Sequence, residues 1–488
     1  MTASAAPPPP VRAAYALRWP ALLVILAAEV MDLVDAMVTS IAGPSIVRDI
    51  GGGQTMIQWL AAAYTLAMAC GLLVGGRLGD IHGRRRMFLI GMAGFTAASL
   101  ACAAATSPSM LLGLRAVQGL IGAVMLPQGL GLIKEMFPPE ELPRAFGLFG
   151  PIMGISAVGG PILAGWLVDA DLLGLGWRAI FAVNVPVGVA ALVAGLHVLP
   201  ASRPDPRLHL DLVGTLLAAA SMFLVVYPLI QGRAHGWPWW AFAMLGAGLA
   251  GMWLLWRGEN ARERRGRVTL VTPSLFRKRS FSAGMLTGMA LFAALMGMMV
   301  VFTLLVQVGL GYSPLKAGLA GIAQAAGMVV GFIASQPLIA RWGGRRLMHV
   351  GEAIAAAGFV AFLVSLHAAG DAVRIVTMAP GLALAGLGLG LTMAPFFDTV
   401  LASVDEHESG SASGTLTAVQ QLGGSVGVAV LGTTFFHLLD AGGATSRVAA
   451  FREATAGAMW LAVGLLAVTF ALTFLLPRRA REGGGTFH

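Results

Sequence analysis

Residues 76–86 read Gly-Arg-Leu-Gly-Asp-Ile-His-Gly-Arg-Arg-Arg, between two apolar runs at about 57–75 and 87–106. At ~1.5 Å per residue, each run is long enough to cross the ~30 Å hydrocarbon core of a bilayer as a helix. The residues between them are therefore predicted to form a short joint at a membrane surface. The joint carries Arg77, Arg84, Arg85 and Arg86 against the single acid Asp80. A basic cluster of this kind faces the cytoplasm. Gly76, Gly79 and Gly83 allow two helix ends to turn and pack closely. Read from these residues alone, the stretch is a positively charged hairpin.

Composition points the same way. Of 488 residues, 57% are hydrophobic and 11% charged, where a soluble domain carries about 25% charge. Apolar runs of membrane-crossing length recur along the chain, the pattern of an all-α polytopic membrane protein. The 65 glycines suit that class, because small residues let membrane helices approach. The net charge of +9 is read as topological rather than as a nucleic-acid footprint. Cys70 and Cys102 fall inside predicted spans, without metal-ligand spacing and with no need of a disulfide. Residues 1–20 are Pro-rich without a signal-peptide pattern, and the tail Thr2–Pro10 is expected to be disordered.

Fourteen spans are predicted: 19–42, 57–75, 87–106, 110–133, 145–168, 179–199, 212–231, 239–256, 281–309, 315–340, 347–366, 373–397, 413–438 and 456–476. The alternate connections that include both termini and the 76–86 joint hold 24 Lys and Arg, and the others hold 7. This bias places both termini in the cytoplasm. The largest basic connection, 257–280, is expected to be a solvated topological anchor, the alternative being a surface helix on anionic lipid. Residues 341–346, Arg-Trp-Gly-Gly-Arg-Arg, repeat the 76–86 joint without its Asp. If the two joints correspond, 19–200 and 281–477 are two six-helix bundles. Residues 201–280 are then an inserted helix pair with the basic loop, and 1–18 and 478–488 are cytoplasmic tails. Parallel repeats of this kind place a substrate site at their interface near mid-membrane.

Charges inside the spans mark the candidate site. Glu29, Asp32 and Asp35, spaced i, i+3, i+6 in the first span, fall within ~120° of one helix face. An ionisable group near the bilayer centre costs roughly 2.5–3.5 kcal/mol on insertion scales, so such residues face a cavity and mark ion or proton pathways. Arg115 is the lone basic residue inside a span, and its buried guanidinium needs acceptors; the first-span acids are the candidates. Glu352 and Asp398 lie near span ends and are expected to snorkel or face loops. Gln420 and Gln421, in the small-residue run Gly410–Gly432, are expected to face the cavity or bond across helices. In 150–165, Pro151 and Pro161 among repeated glycines predict a bent, tightly packed helix.

Several of these stretches resemble patterns of the major facilitator superfamily. The 76–86 joint resembles the loop between helices 2 and 3, G-x-L-a-D-r-x-G-r-r, matching at Gly76, Leu78, Gly79, Asp80, Gly83, Arg84 and Arg85. The resemblance implies a latch on the cytoplasmic side, with Asp80 accepting from a neighbouring helix N-terminus and pairing with an Arg. Leu114–Gly122 resembles the helix 4 pattern l-x-x-R-x-x-q-G-x-g-x-a at Arg115, Gln118, Gly119 and Gly122. Met31–Ile46 resembles helix 1 of the fourteen-helix drug:proton antiporters at Asp35, Ala42, Pro44 and Ile46. Gly160, Pro161 and Gly165 resemble the antiporter signature G-P-x-x-G-G of helix 5, which implies export. Trp177–Gly188 resembles W-R-w-i-F-x-i-N-x-P-x-G, and Asp211–Leu217 resembles D-x-x-G-x-x-L, both of the fourteen-helix group.

The resemblance implies a major facilitator fold and a proton-coupled antiporter exporting amphipathic or cationic small molecules such as drugs, dyes or antibiotics. Asp35, Asp32, Glu29 and Arg115 would couple protons, with Asp35 taking the proton and Asp32 assisting. Asp35, Gln118, Gln420 and Gln421 would meet substrate. The driving force would be the proton gradient, with no cofactor and no metal. The partners expected are a small-molecule substrate, protons and the lipid bilayer, with no nucleic acid and no obligate protein partner, for a monomer in the cell membrane. No Walker loop, GxSxG, HExxH or CxxC is present, and the Gly-x-Gly steps in 381–390 lie inside an apolar span, so enzyme chemistry is not expected. The alternatives are a proton-coupled importer of a small metabolite and a non-transporting membrane sensor or scaffold.

Overall fold

The structure is a computed structural model that describes residues 15–138, 141, 145, 148–202, 211–232, 235–265, 269, 273–401, 409–441 and 446–477. The Thr2–Pro10 tail, Arg267 of the basic connection and the 478–488 tail lie outside the described residues. The chain forms long helices: α1 (Arg18–Ile50), α2 (Gly53–His82), α3 (Arg84–Ala103), α4 (Pro108–Met136), α5 (Phe149–Asp169) and α6 (Asn184–Val198, led in by Ala179–Ala182). Then come α7 (Leu212–Gln231), α8 (Trp239–Arg264) and α9 (Arg279–Thr303), which ends in a π-helical turn, Leu304–Gly309. The chain closes with α10 (Ile322–Trp342, preceded by Pro314–Ala320), α11 (Gly344–Ala368), α12 (Ile375–Leu401), α13 (Ser409–Ala441) and α14 (Arg447–Thr473).

Among the described residues, twelve helices are long and apolar enough to cross a membrane. The helices outside that set, α1 and α5, have 33 and 21 residues. Helix is the natural state here, because a lipid environment leaves backbone groups no partner but their own chain.

The 76–86 joint differs from the expected loop. α2 continues through Gly76, Gly79, Asp80 and His82, Gly83 alone makes the turn at φ 92°, and Arg84 begins α3. Gly343 does the same at φ 78° between α10 and α11. A side chain at either position would be strained by that backbone angle. The joints agree further: Arg85 donates to the Leu196 carbonyl (2.5 Å) near the end of α6, and Arg345 donates to the Leu476 carbonyl (3.2 Å) just past α14.

Small residues set the closest approaches. A Cβ at Gly75 would overlap the Ala123 carbonyl, and one at Gly79 the Gln128 amide, so α2 meets α4 along the 71/75/79 edge. Gln128 donates there to the Gly75 carbonyl at 2.6 Å. The Gly-x-Gly steps of α12 have the same cause. Gly386 and Gly390 lie against the α10 backbone at Gln324 and Met328, while Gly381 and Gly388 lie against the α11 backbone at Phe362 and Ala355.

Cores divide accordingly. Two apolar clusters bind α1–α6, and the largest binds α9–α14. A smaller cluster joins α2 and α13 to α7 through Ala62, Leu66, Cys70, Met222, Val226 and Leu422. Asp211 caps α7 by accepting from the Gly214 N–H (2.9 Å) and pairs with Arg262 of α8.

Glu352 corrects the sequence reading. It does not snorkel: it is buried within α11 and accepts from the Thr473 hydroxyl of α14 at 2.8 Å. The span edge was judged from 347 onward, but α11 begins at Gly344 and α14 packs over this turn. Asp398 is exposed, as expected.

Candidate functional site

α1 runs from 18 to 50, so Asp32 and Asp35 sit at its middle. One face of α1 there meets α2, α4 and α6, each of which brings a polar side chain to the acids. Asp35 is 1% exposed and Arg115, from α4, 0%. Arg115 Nη1 donates to Asp35 Oδ2 and to Gln118 Oε1 (2.8 Å), and Nη2 to Thr39 Oγ1 (3.5 Å). Asp35 Oδ1 accepts from Gln118 Nε2 (3.1 Å) and from Asn184 Nδ2 of α6 (2.9 Å). Ser99 Oγ of α3 accepts from both amides, at 2.9 and 3.4 Å. Asp35 therefore has three donors and a formal countercharge, the arrangement that holds a buried carboxylate in place.

Asp32 is held differently. It is 6% exposed, and its one hydrogen-bond partner among the described residues is the Tyr64 hydroxyl of α2, which donates to Oδ1. The Tyr64 ring also lies under the Arg115 guanidinium, 4.2 Å from it, with Phe181 on another side at 5.7 Å. Tyr64 thus touches both charged centres. Gly122 keeps space beside Asp32 and Tyr64: a Cβ there would sit 3.4 Å from each oxygen. Glu29, one turn nearer the chain start, is half-buried and forms no ion pair among the described residues.

The two ends of the bundle are built from different contacts. At the Gly83 end, Arg84 donates to Asp80 Oδ1 (3.0 Å) and lies 3.5 Å from Glu135 of α4. The Arg pairing of Asp80 expected from sequence thus comes from Arg84, within the same joint. Arg18 makes a two-pronged contact with Glu141, at 2.8 and 3.1 Å. At the opposite end, Asp49 at the tip of α1 accepts from Trp177 Nε1 (2.8 Å) and Arg178 Nη1 (2.7 Å). Those two donors hold the Asp49 carboxyl below its usual range. Also there, Gln307 in the π-helical turn donates to the Ile41 carbonyl (2.5 Å), and Asp169 accepts from the Leu315 N–H (3.0 Å). A Cβ on Gly165 would overlap Pro314 and Leu315, and one on Gly318 would meet the Pro161 carbonyl. Gly160, Pro161 and Gly165 thus lie in a helix whose far half is pressed onto the Pro314–Ala320 segment that precedes α10.

The structure brings Asp35, Arg115 and Gln118 together and places Asp32 one turn away. It does not bring Gln420 and Gln421 to them. Gln421 Nε2 instead meets the Met68 sulfur of α2 at 3.0 Å, and Gln420 is buried with its amide nitrogen unpartnered. Nearby, the Thr65 and Ser425 hydroxyls lie 2.6 Å apart, so Gln421 belongs to the α2–α13 seam. Sequence reasoning missed Tyr64, Ser99 and Asn184 as members of the cluster. Asn184 had a signal, since it lies within the quoted Trp177–Gly188 stretch; a lone Tyr or Ser in an apolar span has none.

Residues 24–428 match the family described as Major Facilitator Superfamily. The chain is 42% identical to a protein of Streptomyces coelicolor named probable actinorhodin transporter, across 99% of this chain and 95% of that one. It is 34% identical to the tetracenomycin C resistance and export protein of Streptomyces glaucescens, across 85% of this chain and 75% of that one. Its fold is similar to a crystal structure of an auto-inhibited peptide transporter of the POT family, with TM-score 0.65 at 16% identity, covering 93% and 95% of the two chains. Matched over most of its length and similar to transporters in both sequence and fold, the chain belongs to the Major Facilitator Superfamily.

Proposed function

We propose that this protein is a proton-coupled exporter of amphipathic or cationic small molecules that works by alternating access in the cell membrane. In this reading all fourteen long helices cross the bilayer, α1–α6 and α9–α14 are the two moving halves, and α7–α8 is an inserted pair. The Gly83 end and both termini face the cytoplasm, as the 24-to-7 bias of basic residues supports. The protein acts as a monomer, on the proton gradient, with no cofactor. The relatives named for antibiotic transport, resistance and export support the direction and the cargo class.

One observation carries the reading. Two acids one turn apart at mid-helix are held unequally, Asp35 locked by Arg115, Gln118 and Asn184, and Asp32 held by Tyr64 alone. A locked ion pair is a poor carrier, so the geometry favours Asp32 as the exchanging acid and Asp35 as the fixed counter-ion of Arg115. A proton on Asp32 removes the charge that a cationic cargo would seek and loosens the Tyr64 hydroxyl. Because Tyr64 lies against Arg115, the change reaches the α1–α4 contact. Glu29 extends the negative face toward the cytoplasmic end, where cargo would enter. Closure by Gln307, Asp169, Gly165 and Gly318 at the opposite end is the arrangement expected of a state that loads from the cytoplasm.

Everted vesicles test this. Acidifying the lumen should drive accumulation of a cationic dye, and Asp32→Asn should abolish it in protein that is still folded. Dye driven the other way would favour the importer, and no flux at all would favour a sensor or scaffold. Full proton-driven accumulation by Asp32→Asn would reject Asp32 as carrier.

A further inference from the structure

The second half holds an ionisable pair, Glu352 buried and His349 half-buried, that the proposed cycle does not use. His349 and Glu352 lie one turn apart on α11, with His349 Nδ1 3.8 Å from Glu352 Oε2. Glu352 Oε1 accepts from Thr473, but Oε2 is buried with no partner, and so are both His349 ring nitrogens. The His349 ring packs at a tilt against Phe470 of α14 (4.5 Å) and Phe474 just past it (4.2 Å). From Gly343, nine residues at ~1.5 Å each set Glu352 roughly 14 Å inside the helix bundle. Unpartnered polar atoms this deep are costly unless they serve a purpose.

The neighbours are few and named. Arg345 lies one turn before His349, with its guanidinium 5.4 Å from the Phe474 ring, so that ring faces both side chains. From α14 come Thr473 and the two phenyl rings, and from α12 the Thr392 hydroxyl, which donates to the Gly388 carbonyl at 2.9 Å. The one titratable residue of α12, Asp398, is exposed, as is Arg341 at the end of α10. The joint itself has no acid: Ala340 stands three residues before Gly343, where Asp80 stands three before Gly83. Arg341, Arg345 and Arg346 form no ion pair among the described residues, and Arg345 rests on the Leu476 carbonyl.

A buried carboxyl beside an imidazole whose nitrogens are out of water holds one proton most readily. With none, a negative charge is left out of water; with two, a positive one. We propose that His349 and Glu352 together form a second proton-binding site, at the Gly343 end of the second half, whose occupancy sets where Arg345 rests. With one proton bound the pair is neutral and Arg345 stays on Leu476. When that proton passes through His349 to water at the Gly343 end, the remaining carboxylate draws Arg345 inward and frees the end of α14. The first joint, whose Arg84 already has Asp80, needs no such device. This inference goes beyond the proposed export cycle and does not require Asp32 to be its carrier.

The test compares Glu352→Gln, Thr473→Val and Arg345→Gln in the full chain, reconstituted in vesicles. Gln keeps an acceptor for Thr473 and removes only the titration. Infrared difference spectra between acid and alkaline buffer should lose one carboxyl band in Glu352→Gln and keep it in the other two. Dye flux measured against pH on the Gly343 face should flatten in Glu352→Gln and Arg345→Gln, with turnover preserved on the acid side. Thr473→Val should lower thermal stability and leave the profile in place. If Glu352→Gln does not fold, His349→Gln replaces it: the carboxyl band stays but the pH at which it appears should shift, together with the flux profile, and a band that does not move would overturn the proposal. An unchanged carboxyl spectrum, or a profile moved equally by Thr473→Val, overturns the proposal; loss of flux in Asp32→Asn alone would leave these readouts as they are.

Discussion

Replacing Asp35 by Asn should unsettle the whole first half, whereas the same change at Asp32 should not. The two sites differ by one helical turn, and the difference follows from what each carboxylate holds. Asp35 pairs with Arg115 where exposures are 1% and 0%. Removing one partner of a buried pair typically costs about 3–5 kcal/mol, because the other charge is left uncompensated. Arg115 would keep Gln118 Oε1 and Thr39 Oγ1, both neutral acceptors, so the cost should fall at the lower end, about 3 kcal/mol. At Asp32, an Asn oxygen still accepts from Tyr64, and the loss should be about 1 kcal/mol or less. The assay is unfolding of the purified protein in detergent for Asp35→Asn, Asp32→Asn, Arg115→Gln and the double variant Asp35→Asn/Arg115→Gln. The double variant removes both charges and should recover most of the loss, giving an interaction energy of about 2 kcal/mol in the cycle. Equal destabilisation by Asp35→Asn and Asp32→Asn, or a double variant as unstable as the sum of the singles, would refute the unequal-acid argument.

Other changes probe the frame around that cluster. Gly75→Ala should cost about 1–3 kcal/mol in thermal unfolding, because its methyl would meet the Ala123 backbone, which cannot swing away; no change would mean that α2 and α4 separate more easily than their glycine edge implies. Thiols placed by Asp169→Cys and Leu315→Cys, joined by a short bifunctional linker, should hold the far end shut and cut flux at least about tenfold, with recovery on cleavage, if opening there is part of turnover; native Cys70 and Cys102 are buried and should not compete. Asp49 lies past the predicted span 19–42, and its carboxyl is held low by Trp177 and Arg178. Its contribution is therefore present above the ordinary carboxylate range and is lost as pH falls through and below it. Asp49→Asn should be less stable than the parent near neutral pH and indistinguishable from it in acid, read as melting temperature against pH; a gap that widens in acid would have the wrong sign.

The architecture was legible because bilayer physics leaves so few options. Runs of membrane length, single glycines at the joints and basic residues on alternate connections are local signals. The candidate acids were legible for the same reason, since charge inside an apolar run stands out, and Arg115 advertised its need for a partner. What stayed hidden depends on which side chains meet across helices. The helix 1 resemblance marks Asp35 and not Asp32, but nothing in α1 tells which of the two is locked; that distinction comes from α4 and α6 giving Asp35 three donors while α2 gives Asp32 one. Gln421 shows the same limit: its type suits either a cavity or a bond across helices, and only the structure shows it meeting Met68 of α2. Glu352 was misjudged because an apolar stretch marks the core of a span and not where its helix begins.

α1 is the element through which site and ends can influence one another. Arg18 ties its start to Glu141. Asp32 and Asp35 occupy its middle, the Ile41 carbonyl takes the Gln307 amide, and Asp49 ties its tip to Trp177 and Arg178. Pro44 lies between the last two, inside the helix. It has no N–H to offer the preceding turn, so that turn is weakened where Gln307 docks. The π-helical turn that carries Gln307 is itself a departure from α geometry, of the kind found where helices work. A change of hydrogen bonding at Asp32 therefore acts on a helix anchored at both tips and softened between the site and the far contact. A rigid helix would pass such a change equally to both ends; this one should yield at Pro44 and part from Gln307 first. Pro44→Ala, which restores the missing bond, should stiffen that turn and slow opening at the far end without weakening the Asp35–Arg115 pair. Thiol labelling of an introduced Val308→Cys, next to Gln307, with and without Pro44→Ala, reads the opening rate, and equal rates would show that the proline is not where α1 gives way.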